Sequence, residues 1–205
     1  NDYNGWEFYK DTRVLYGSVV IDGKLFRNPA PTRMIWRPDK MICEYEIGGV
    51  LIKEEKFIGA NDAAASIITS SKPITLRFEG HSFFVRHSVS STSEIRYETK
   101  ENTILISEGG TVRSRPDLGE PERIGPIVYE GMTTALSSSK NFSKSVQLKR
   151  GEKGESRYLF EIPCDSKGTT ISWAMNDDPG KALRASREII AKDQQMLTEK
   201  TAEMN

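Results

Sequence analysis

The sequence predicts a mainly-β protein: a large antiparallel β-sandwich over residues 1–175, then a C-terminal amphipathic linker helix over residues 176–205. Three observations predict it. Short apolar runs punctuated by Gly, Pro, Asp and Ser recur from Asp2 to Met175, and many alternate polar with apolar as half-wetted strands do. The period then changes, with Leu183, Ile190, Leu197 and Met204 recurring every seven residues. Strands precede a single helix instead of alternating with helices, which argues against parallel βαβ units.

Taken in order, the first hairpin is announced by Asp22-Gly23 between Val19-Val20-Ile21 and Leu25, since both turn residues tolerate positive φ. Cys43–Ile47, Gly48-Gly49 and Val50–Phe57 repeat the pattern. Ala63–Thr69 and Ile74–Phe78 flank Ser70-Ser71-Lys72-Pro73, a turn of backbone-competing hydroxyls and a fixed proline φ. Further strands are expected at Glu94–Glu98, Thr103–Ser107, Ile127–Tyr129, Met132–Leu136, Ser145–Lys149, Arg157–Ile162 and Thr169–Ala174. Ser107–Pro126 reads as one long loop, with Gly109-Gly110 as turn glycines; it carries Arg113, Arg115 and Arg123 beside Asp117, Glu120 and Glu122. Loops of that length in a compact domain are usually functional or disordered. Asp177 is expected to cap the helix, with Pro179 in its first turn. Ala182, Ile189 and Met196 flank the apolar stripe, and a helix to Asn205 would run about 40 Å. A rod that long outruns its own sheets, so Ile190, Leu197 and Met204 are expected to face a partner.

Composition narrows the classes. Lys+Arg and Asp+Glu each number 29, so a formal net charge of +0 offers no excess field for nucleic acid or an anionic membrane. No stretch approaches the roughly 20 apolar residues of a membrane span. Two cysteines, Cys43 and Cys164, support neither a disulfide framework nor a zinc ribbon; one long-range bridge is open to them, and two separate buried thiols are the favoured reading. The chain opens at Asn1 without a methionine or an apolar leader, as a processed mature chain or an excised piece would. Periplasmic or secreted and cytoplasmic locations in a bacterium both fit.

No residue stands out as catalytic, and no metal or cofactor is implied. Nucleophile elbows, phosphate loops, dinucleotide fingerprints and HExxH are absent from the sequence. His81 and His87, on one strand, would lie about 20 Å apart, too far for one metal unless the chain folds back. Glu54-Glu55 point to opposite faces and read as exposed strand charges, unfit for the paired carboxyls of glycoside hydrolysis. Of the aromatics Trp6, Trp36, Trp173, Tyr9, Tyr45 and Tyr129, most suit a sandwich core. Trp36, in Met34-Ile35-Trp36-Arg37-Pro38, is the least core-like and the best platform for a sugar ring.

Phe57-Ile58-Gly59-Ala60-Asn61-Asp62-Ala63 through Thr69, followed by Pro73-Ile74-Thr75-Leu76, resembles the N-terminal β-supersandwich domain that precedes an (α/α)6 barrel in certain glycoside hydrolases. Ile171-Ser172-Trp173-Ala174-Met175-Asn176-Asp177-Asp178-Pro179-Gly180-Lys181-Ala182-Leu183 is similar to that domain's last strand entering its linker helix. Processing α-glucosidase-like enzymes are nearest, with trehalases, glucoamylases and disaccharide phosphorylases related in architecture. The resemblance implies a catalytic barrel in the same protein as partner and an oligo- or polysaccharide as its substrate. It also implies that the acid and base reside on that barrel, leaving this chain inactive alone. Trp36, Arg113, Arg115 and Asp117 would then be candidates for the substrate rim. Two other readings are open: a freestanding carbohydrate-binding, lectin-like sandwich, and a small enzyme acting alone, for which no convergent titratable residues can be named.

Overall fold

Turn chemistry sets the first pairings. In the computed structural model, which describes residues 16–59, 61, 63–81, 88–112, 127–149 and 156–203, Asp22 and Gly23 hold φ of 49° and 77°. They join β1 (Tyr16–Ile21) to β2 (Lys24–Arg27). Gly48 and Gly49, at φ 57° and 73°, do the same for β4 (Met41–Ile47) and β5 (Val50–Ile58). Both are the two-residue, left-handed turns whose twist matches paired strands. The remaining strands are β3 (Arg33–Trp36), β6 (Ala63–Ser70), β7 (Ile74–His81), β8 (Ser88–Glu98), β9 (Thr103–Val112), β10 (Ile127–Ser138), β11 (Lys144–Lys149), β12 (Ser156–Cys164) and β13 (Thr169–Asn176). α1 (Pro179–Glu203) follows.

The strands form two antiparallel sheets. A smaller sheet has the order β11-β12-β7-β1-β2, and a larger one β3-β4-β5-β6-β13-β10-β9-β8. Their facing surfaces enclose the main core, in which Val50, Ile104, Leu136, Phe160, Ile162 and Ile171 are fully buried. The mainly-β sandwich with a terminal helix is therefore the architecture observed. Cys43 and Cys164 are separate buried thiols, as expected.

The other face of the larger sheet is lined with small residues. Ala63, Ala65, Ala135 and Ala174 lie under α1, which lays Ala182, Ala185 and Ile189 on them beside Phe57 and Leu105. Between these contacts a hydroxyl chain is buried: Ser186 Oγ donates to Ser137 Oγ at 2.9 Å, Ser172 Oγ donates to the Ser186 carbonyl at 2.6 Å, and Ser137 pairs with Thr103 at 2.7 Å. Small side chains let the helix backbone approach closely enough for those bonds. The seam that meets the sheet is thus Ala182, Ala185, Ser186 and Ile189. Leu183 and Ile190, expected at its centre, are half-buried flanks. The side chain of Leu197, and Met204, lie outside the described residues.

Four further readings need correction. Gly109-Gly110 belong to β9, which runs on to Val112, so the first residues of the expected loop are strand; Arg113, Arg115 and Asp117 lie outside the described residues. Ile127–Tyr129 and Met132–Leu136 are one strand with a bulge between Tyr129 and Met132. Gly131 occupies that bulge at φ 114°, where a Cβ would stand 2.5 Å from the Glu108 carbonyl oxygen. That near contact explains why β9 and β10 bring glycines together. The helix cap is Asp178 and not Asp177: its Oδ1 accepts from the backbone N–H groups of Gly180 and Lys181 at 2.7 and 3.1 Å. These two donors hold the Asp178 carboxyl below its ordinary pKa. β3 is the fourth, a short strand the sequence reading passed over.

Candidate functional site

The β3–β4 hairpin forms one edge of the larger sheet, and Trp36 ends β3 on it. Arg37 N–H donates to the Lys40 carbonyl at 2.9 Å, closing the turn around Pro38. Register places Trp36 opposite Met41 and Met34 opposite buried Cys43, so Met34 and Trp36 belong to the sheet face that elsewhere meets the smaller sheet. Here nothing among the described residues covers it. Trp36 is 80% exposed, Met34 60%, and Ile58, at the end of β5 on the same face, 81%. Lys56, opposite Met41, stands about 10 Å from Trp36 across two strand spacings.

Beside this apolar corner lies a polar group of residues. Tyr45 Oη donates to Glu54 Oε2 at 2.9 Å, Ser66 Oγ donates to Oε1 at 3.0 Å, and Lys56 Nζ pairs with Oε2 at 3.2 Å. Burial, then the adjoining Glu54 carboxylate, push the Tyr45 hydroxyl far above its usual pKa, keeping it a donor. On the opposite face Glu55 accepts from Lys40 Nζ at 2.9 Å and pairs with Lys53 at 3.4 Å. The two glutamates do point to opposite faces, but they are partly buried and fully engaged, not exposed strand charges. Period-two spacing was the available signal: Glu54 shares parity with Ile52, whose side chain enters the core. Asp39 went unnoticed in the sequence. Both its oxygens are buried and accept no hydrogen bond, with Arg37 Nε at 3.5 Å from Oδ1 as its ion-pair partner.

Chemically, this corner offers an aromatic platform, apolar neighbours and an ammonium group, with its carboxylates already occupied by donors. The other aromatics divide as follows. Trp173 and Tyr45 pack partly buried against the main core. Trp6 and Tyr9 lie outside the described residues, as does the Tyr129 side chain. His81 ends β7 in the smaller sheet, while His87 lies outside the described residues and β8 resumes in the larger sheet. Among the described residues no three of His, Cys, Asp and Glu gather as a metal site, and no helix is long and apolar enough to cross a membrane.

A two-sheet sandwich with a helix laid across its larger sheet is the kind of domain the fold defines, and solved structures share that fold. A family GH92 inverting mannosidase from Bacteroides thetaiotaomicron matches over 92% of this chain with a TM-score of 0.53 at 10% identity; the chain spans 25% of that protein. A protein named as a kojibiose phosphorylase from the human microbiome gives a TM-score of 0.40 at 10% identity, over 90% of this chain and 25% of its own. The likeness to the mannosidase is one of fold. No protein-family model and no curated protein matches the sequence.

Proposed function

We propose that this chain is the non-catalytic N-terminal sandwich domain of a larger glycoside hydrolase. It packs on and stabilises a helical catalytic barrel, with Trp36 at the substrate rim. The observation that carries this reading is the shared fold, which spans nearly the whole chain but only a quarter of the mannosidase. The occupied carboxylates of Glu54 and Glu55 agree with it, since neither is free to serve as acid or base. Assay of the purified chain and of the intact gene product on a panel of aryl and natural glycosides tests it. Turnover is expected from the intact product and not from the chain; turnover by the chain alone overturns the proposal.

The exposed ring of Trp36 favours a second reading, a freestanding carbohydrate-binding sandwich. That reading requires calorimetric binding of an oligosaccharide by the chain alone, lost in Trp36→Ala.

A further inference from the structure

We draw no further inference here: the strongest candidate, the exposed apolar patch of Met34, Trp36 and Ile58 at the β3 edge of the larger sheet, carries none because nothing in the structure shows what covers it.

Discussion

Glu55 experiences opposing influences, and its lysines decide the outcome. Burial raises its pKa, but the hydrogen bond from Lys40 and the charge of Lys53 outweigh that, holding the carboxyl below its ordinary value. A carboxyl depressed in the folded state contributes stability that is present above its unfolded pKa of about 4.3 and is lost as pH falls through the lower folded value. Lys40→Gln should therefore reduce the unfolding free energy by about 1 kcal/mol at neutral pH, with the gap from the parent closing in acid. Urea titrations of both proteins at pH 7 and below pH 4 check this; a gap that persists in acid contradicts the ion-pair account. The same strand shows what single residues disclose. Glu54 and Glu55 look alike in sequence, yet one belongs to the core-facing row with Ile52 and the other to the opposite row. Their facing was legible from parity, whereas their partners Tyr45, Ser66 and Lys40 arrive from other strands and were not.

At the scale of elements, the contact between α1 and the larger sheet depends on small side chains. Ala174 is 1% exposed beneath Ala185 and Ile189, and the serine chain closes beside it. Ala174→Leu would force the helix outward, stretching the Ser172–Ser186 and Ser186–Ser137 hydrogen bonds, at a cost of about 1–3 kcal/mol. Limited proteolysis should then cut at the start of α1 faster than in the parent, while Leu51→Ala, at an exposed position, should not change the cutting rate. Equal rates for Ala174→Leu and the parent would refute close packing as the attachment. This small-residue seam is where sequence reasoning slipped by one position. Leu183 and Ile190 carry the larger hydrophobicity and so dominate any apolar periodicity, but a sheet paved with Ala and Ser selects Ala182, Ala185 and Ser186. The signal existed in the facing strands: Ala63 and Ala65 in β6, and Ala174 in β13, alternate with residues of the opposite face. The hairpins were legible because Asp22-Gly23 and Gly48-Gly49 dictate their geometry locally. The β10 bulge was not, since Gly131 is required by the Glu108 carbonyl of a neighbouring strand.

For the whole molecule, most strands other than β3 were readable along the chain but the partition into two sheets was not, because pairing joins distant segments. β12 pairs with β7, and β13 inserts between β6 and β10. The edge position of β3, which leaves Trp36 bare, likewise follows from the complete strand order and not from the local run Met34-Ile35-Trp36. These long-range pairings make the two sheets one cooperative unit, and Phe160 is the place to test that. It is fully buried between the sheets, with Tyr158 stacked at 6.5 Å and Phe142 edge-on at 6.5 Å. Phe160→Ala removes a ring that the closed sheets cannot refill, a change that costs about 3–5 kcal/mol. For a chain of this length each kcal/mol lowers the melting temperature by about 2–4 °C, so a fall of about 6–20 °C is expected. If the sandwich is one unit, circular dichroism and tryptophan fluorescence should report the same lowered midpoint, since Trp173 packs against the core that Phe160 fills. Two separated transitions would mean that the smaller sheet unfolds independently of the larger one.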